Sequence, residues 1–323
     1  MPFVPSYTHV PGQHCGSTAL RNLLGFHGLE LSEEMAFGLG AGACFYYVTI
    51  PDASPSRWFS GRAARLEESF DALSGGALRL RTFESGPAES WDAARAEVDA
   101  GRPVLLLTDL YHLDHYGSSA HFPGHAVVLA GYDEEVAYLS DTGFEQLQTT
   151  RLENLERARH SRHPAYPLAG HMFTAADGLS EERLREAVPA AIERAAGAML
   201  EPEFPGFSGL DAVRRLAEEI GDWPEAAADW QWCARFGYQV IERRGTGGGA
   251  FRLIYSRFLE QVGRPEAALA AEAADRWTAL AEALRAASER DDAEAAGWRA
   301  IGGLARRVAA VEERLWSALA TPR

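Results

Sequence analysis

The stretch Gly12-Gln13-His14-Cys15-Gly16-Ser17 places a thiol where a polar, glycine-bearing loop meets Ala19, Leu20, Leu23, Leu24 and Phe26. That apolar spacing marks one face of a short helix, ended by Gly25 and Gly28, so Cys15 is expected at a helix N-terminus. Unpaired amides and the positive end of the helix dipole favour thiolate there, and the thiolate is the nucleophile. A buried structural cysteine is the alternative; the polar flanks favour the nucleophile. Such a thiol needs a base to share its proton and a third group to orient the base. His125 opens an apolar strand after Phe122-Pro123-Gly124, and Asp141 ends the next one. With a hairpin turn centred on Asp133-Glu134, positions 125 and 141 are expected to face each other directly. His112, His115 and His121, with Asp114, form a polar loop read as solvated, with a metal site as the alternative; no metal ligand is assigned. His160, His163 and His171 have no carboxylate at a comparable position. An oxyanion would be met by the Cys15 amide, with Gln13 or His9 as the second donor.

The elements that must position these residues mix helix and strand up to about residue 175. Ser32-Glu33-Glu34 starts a helix, Phe45 to Val48 reads as a strand, and a helix is expected over 61–73. Strands follow at 78–83, 104–108, 125–132, 136–140 and 171–174, with a helix at 91–100 between the first two. All ten histidines lie between His9 and His171. Beyond Gly178 the sequence is alanine- and glutamate-rich, with helical patterns at 180–200, 210–220, 225–243, 249–261, 265–287 and 291–320. The expected class is α+β, with a mostly antiparallel sheet in a catalytic domain over 1–176 and an all-helical domain over 177–323. The helical part is expected to cover the site and shape an acceptor pocket. Within it, Gly247, Gly248 and Gly249 precede Arg252; such a run can present amides to an anion, or be a plain interhelical turn. Phe45, Tyr46, Tyr47, Trp58 and Phe59 suggest either a pocket lining or an aromatic core.

Composition narrows the classes. The net charge of −15 argues against nucleic-acid binding, which needs clustered positive charge. Every basic residue is arginine, which excludes lysine Schiff-base chemistry and a P-loop lysine. Arg57, Arg62 and Arg65 form either a local basic patch or a solvated helix face. The 3 cysteines, Cys15, Cys44 and Cys233, match neither a disulfide framework nor a zinc spacing. No run approaches the roughly 18 apolar residues of a membrane helix, and no basic-then-apolar leader opens the chain. A cytoplasmic protein is expected.

The order of cysteine, histidine on a strand and aspartate after the next strand resembles that of papain-like enzymes. Gln13-His14-Cys15-Gly16-Ser17, Gly124-His125-Ala126-Val127-Val128 and Ser140-Asp141 resemble the bacteriocin-processing cysteine peptidases. More closely, His9 to Gly42 is similar to the N-terminal domain of the butirosin biosynthesis acyltransferase family, through His-x5-Cys-Gly-Ser, Leu31-Ser32-Glu33-Glu34 and Gly38-Leu39-Gly40-Ala41-Gly42. Arg244-Gly245-Thr246-Gly247-Gly248 and Phe251-Arg252 resemble the domain of unassigned function that follows it. The resemblance implies a papain-like cysteine acyltransferase of secondary metabolism, with Cys15 as nucleophile, His125 as base and Asp141 as orienter. It implies a phosphopantetheine thioester on an acyl carrier protein as donor, a small-molecule amine as acceptor and no tightly bound cofactor. A cysteine hydrolase on the same residues, or a binding module that kept the fold, are the competing readings. Peptidases of this kind carry glutamine six residues before the cysteine; His9 stands there, which weighs against peptidase activity.

Overall fold

A computed structural model describes residues 3–164, 166–290, 292 and 294–321. In chain order the elements are α1 (Cys15–Phe26), α2 (Glu33–Leu39), β1 (Ala43–Thr49), β2 (Arg57–Arg62), α3 (Leu66–Leu73), β3 (Leu78–Arg81), α4 (Pro87–Asp99), β4 (Val104–Asp109), β5 (Pro123–Tyr132), β6 (Val136–Ser140), β7 (Gln148–Arg151), α5 (Leu152–Arg159) and β8 (Met172–Ala175). Helices follow: α6 (Glu181–Glu186), α7 (Val188–Leu200), α8 (Gly209–Glu219), α9 (Trp223–Ala226), α10 (Trp230–Glu242), α11 (Arg252–Gln261), α12 (Ala267–Ser288) and α13 (Ala295–Leu319). The class is α+β, with antiparallel sheets and a helical C-terminal region. No described helix is long and apolar enough to cross a membrane.

The chain divides into two compact units. One comprises the chain up to Ala36 together with Ala64–Ala187, the other Phe37–Ala63 together with the chain from Val188 on. This replaces the expected single cut at 176/177. The reason lies in the hairpin β1–β2, whose apolar face belongs to the helical core. Phe45 and Phe59 are buried and pack against Trp277 at ring-centroid distances of 5.1 and 6.5 Å. Phe37 stacks on Phe251 at 5.9 Å. Tyr47 donates its hydroxyl hydrogen to Glu219 at 2.8 Å. The aromatic residues Phe45, Tyr47 and Phe59 are therefore core, while Trp58 is exposed.

In the first unit a six-stranded antiparallel sheet runs in the order β3-β8-β4-β5-β6-β7. Helix α1 packs on β4, β5 and β8; α4 and α5 pack on β4. Val104 and Leu106 of β4 join Ala94, Val98, Leu155 and Ala158 in one cluster, so the alternating Leu105 and Leu107, equally buried, face the other side. Cover on both faces explains why β4 reads as a continuous apolar run. Two strands escaped the sequence patterns, β2 and β7. The helix expected over 61–73 begins at Leu66 because Arg57 to Arg62 pair with β1. That also removes the helix-face reading of the arginines: Arg57 is buried and donates to the Ala226 carbonyl at 2.8 Å.

The second unit is organised by a buried charge pair. Arg252 and Glu312 are both fully buried, joined by bonds of 2.8 and 3.1 Å. Glu312 also accepts from the indole nitrogens of Trp277 and Trp316, each at 2.6 Å. Arg252 Nη1 donates to the carbonyls of Cys44, Gly61 and Ala250 at 3.0, 2.8 and 3.1 Å, which fastens the hairpin to the helices. Arg252 is thus an internal clamp and not the substrate ligand expected from its motif. Removing one partner strands a buried charge, so Arg252→Met is expected to cost about 3–5 kcal/mol in urea unfolding. Arg95→Ala, which breaks an exposed ion pair with Asp92, should hardly move the midpoint.

Candidate active site

Cys15 is the first residue of α1. His14 caps the helix with extended backbone, its Nδ1 accepting from the Ser17 amide at 3.3 Å. Glu33, at the start of α2, holds the loop from behind. Its carboxylate accepts from the Gln13 amide at 3.0 Å, the His14 amide at 2.7 Å and the Ser17 hydroxyl at 3.3 Å. Cys15 is partly exposed, whereas Cys44 and Cys233 are buried, and burial pushes both of those thiols up.

The base and the orienter meet, although not by the expected register. Val128 faces Ser140 and Leu129 faces Leu139, with a bulge between Leu129 and Gly131. Extending that register places Gly143, not Asp141, opposite His125. Asp141 is the diagonal neighbour two residues back, on the same face of the pleat. Its carboxylate still reaches His125 Nε2, at 2.9 Å from Oδ1 and 3.0 Å from Oδ2. The His125 ring also hydrogen-bonds the Cys15 side chain, and with Nε2 on the carboxylate, Nδ1 is the nitrogen left for the thiol. Burial opposes the charged imidazolium, but the Asp141 charge and hydrogen bond, with the Cys15 contact, push His125 up to about 10. Against its own burial, Asp141 is held well below the usual carboxylate range by the His125 charge and by hydrogen bonds from His115 and His125.

Asp141 has further donors. The Thr142 amide lies 2.7 Å from Oδ1, the Tyr116 hydroxyl 3.2 Å from Oδ1, and His115 Nε2 2.9 Å from Oδ2. His115 and Tyr116 belong to the loop read from sequence as solvated, and nothing in its pattern announces their contact with a residue 26 and 25 positions away. Asp114 turns instead to Arg151 and Asn154, at 3.0 and 2.7 Å. Asp109, His112 and His121 bring their ligand atoms within 4.8 Å of one another. The Asp109 oxygens already accept from the amides of Tyr111 and Phe122, from His121 Nδ1 and from the Ser161 hydroxyl, at 2.7–3.2 Å. This cluster ties together the two ends of the 110–122 loop.

The other expected site residues fall elsewhere. His9 is fully used: Nε2 donates to the Phe144 carbonyl and Nδ1 meets the Ser140 hydroxyl, each at 2.7 Å. The carbonyl fixes the proton on Nε2, so Nδ1 accepts from Ser140 and His9 has no donor left for an oxyanion. It braces the residue before Asp141. The Gln13 side chain is exposed beside Cys15 while its amide belongs to Glu33. Tyr46, Gly247, Gly248 and Arg252 lie in the other unit. There the glycine run is a left-handed turn, with φ between +54° and +97° at Gly247, Gly248 and Gly249. The Gly248 amide donates to Thr246 and the Gly249 amide to Glu242, so these two donors are consumed within the turn.

Residues 14–142 match the family model described as butirosin biosynthesis protein H, N-terminal, and residues 153–319 match one described as a domain of unknown function, DUF4872. The chain belongs to this family. Cys15, His125 and Asp141 all fall inside the first model, as does the 110–122 loop. The second model starts within α5, so the family boundary and the division into compact units do not coincide. No curated protein matches the chain.

Gly124, just before His125, has φ +83°, and a Cβ there would come 2.7 and 2.9 Å from the Tyr166 ring. Gly124→Ala is expected to lose about 1–3 kcal/mol in urea unfolding and to slow Cys15 alkylation. Gly143→Ala, where a Cβ meets open space, should stay within about 0.5 kcal/mol of wild type. Because His125 is raised in the folded state, its stabilisation is complete below its unfolded value, about 6.5, and is lost as pH climbs through about 10. Cys15 alkylation by iodoacetamide should accordingly be nearly flat over about pH 6–9, and Asp141→Asn should move its midpoint towards the ordinary thiol value of about 8.5.

Proposed function

We propose that this protein is a cysteine acyltransferase of natural-product biosynthesis, carrying an acyl group from a phosphopantetheine thioester on an acyl carrier protein to an amine of a small molecule. The observation that supports it most is the line from a partly exposed thiol at a helix start, through His125, to a buried Asp141, in a family whose first model is described by butirosin biosynthesis.

The chemistry follows from the proton positions. With His125 raised to about 10 by Asp141 and the thiol contact, the resting pair is thiolate and imidazolium at neutral pH. The thiolate attacks the thioester carbonyl carbon. The new C–S bond forms as the old one breaks, and the leaving pantetheine thiol takes its proton from the imidazolium. His125, now neutral, removes a proton from the attacking amine, the C–N bond forms and Cys15 departs as thiolate. The Cys15 amide, at the start of α1, and the exposed Gln13 side chain are our assignments for the donors that meet the oxyanion. A thioester is already activated, so the exchange with Cys15 is close to balanced, and the amide product drives the second step.

The same three residues would serve a hydrolase if water replaced the amine. Mixing wild type and Cys15→Ala with a panel of acyl-pantetheine thioesters should give a mass gain of one acyl group on wild type only, by intact-protein mass spectrometry. Adding amines should then yield amide in preference to free acid. Free acid alone would convert the reading to a thioesterase or amidase, and no adduct with any thioester would refute it.

A further inference from the structure

His115 is a buried side chain, 5% exposed, 10 residues from His125 in the chain, and it shares that histidine's carboxylate. Its Nδ1 lies 3.1 Å from the Thr150 hydroxyl and its Nε2 2.9 Å from Asp141 Oδ2. A carboxylate only accepts, so Nε2 carries the proton and Nδ1 accepts from Thr150. The ring is held on its faces and edges by Tyr116, with centroids 4.8 Å apart, and by Phe144, at 5.3 Å. The loop that carries it is pinned on one side by Asp114, which accepts from the Arg151 amide and side chain and from Asn154. Thr150 sits on β7 opposite Ala137 of β6, the strand that Asp141 directly follows.

We propose that His115 is a positioning residue: by donating to Oδ2 of Asp141 it fixes the plane of that carboxylate against His125, and so sets the pH range in which Cys15 is a thiolate. Were His115 absent, Oδ2 would keep only the longer His125 contact, while the Thr142 amide, the Tyr116 hydroxyl and the shorter His125 contact all lie on Oδ1. Among the described residues, the charged or titratable groups around this cluster include Cys15, His125, Tyr116 and Asp141, His14 and Glu67 beside Gly16, and the Asp114–Arg151 pair next to His115 and Thr150. Tyr116 keeps its proton, since burial and the charges of Asp141 and Cys15 push it up. This inference rests on the reading of Cys15 as nucleophile.

The test is the pH profile of Cys15 alkylation by iodoacetamide in the full chain, for wild type, His115→Phe, His115→Gln and Thr150→Val. His115→Phe, which keeps a ring and loses the donor, should raise the midpoint by about one pH unit and slow alkylation about tenfold at pH values below the wild-type midpoint. His115→Gln returns an amide hydrogen close to the Nε2 position and should remain within about threefold of wild type. Thr150→Val removes the hydroxyl that holds the His115 ring at Nδ1 and should shift the profile in the same direction as His115→Phe, by less. Superposition of the His115→Phe profile on wild type, or an equal shift in His115→Gln, would overturn the proposal. Should His115→Phe fail to fold, Thr150→Val decides alone, a shift supporting and superposition refuting. A wild-type profile with an ordinary thiol midpoint near about 8.5 would instead remove the nucleophile reading itself, and this inference with it.

Discussion

A carboxylate buried away from water must be surrounded by donors, or it takes up a proton and loses its charge. Asp141 meets that demand at the end of β6, and much of the first unit is arranged to satisfy it. The Thr142 amide supplies a local donor, the 110–122 loop supplies His115 and Tyr116, and β5 supplies His125. These donors come from three separate stretches of chain, so the carboxylate fastens strand, loop and base to one point. Its low proton affinity and the raised one of His125 are two views of the same pairing.

The loop carrying Cys15 is held by a second carboxylate. Glu33 takes the amides of Gln13 and His14 together with the Ser17 hydroxyl, so the amides just before the thiol are tied down. Gly12 and Gly16 leave room for this: a Cβ on Gly12 would come 2.7 Å from Glu33 Oε2, and one on Gly16 would come within 3.2 Å of His14 and closer still to Glu67. His9, from the segment before the loop, braces Ser140 and Phe144 on either side of Asp141. Two short polar segments are thus made rigid by side-chain to backbone bonds, without regular structure of their own.

The second unit solves the same problem with Glu312, which receives one arginine and two indole nitrogens. Here the buried charge serves the fold. Arg252 spends its remaining hydrogens on carbonyls of the β1–β2 hairpin, and the three-glycine turn before α11 supplies the left-handed backbone that delivers Arg252 there. Gly249 has no alternative residue: a Cβ would lie 2.5 Å from the Ala274 Cα. A motif that suggests a ligand loop is explained by close backbone approach.

Local pattern was enough to read Cys15 at a helix start, His125 on an apolar strand and Asp141 after the next, because helix periodicity, strand alternation and turn chemistry act over a few residues. The helices after residue 180 and the strands β4, β5 and β6 were legible for the same reason. Short or polar strands were not: β2 and β7 carry no strong alternation, and each is a strand because a neighbour offers hydrogen bonds. Tertiary structure alone decided that His115 and Tyr116 converge on Asp141, that His9 braces instead of donating to an oxyanion, that Arg252 is a clamp, and that residues 37–63 join the helices. Those outcomes depend on which distant donor reaches a buried acceptor and which apolar face finds cover, and neither leaves a period in the chain. Even the register of His125 and Asp141 illustrates the division: the hairpin turns one residue later than Asp133-Glu134, and the one-residue bulge between Leu129 and Gly131 then brings Asp141 onto the same face of the pleat as His125.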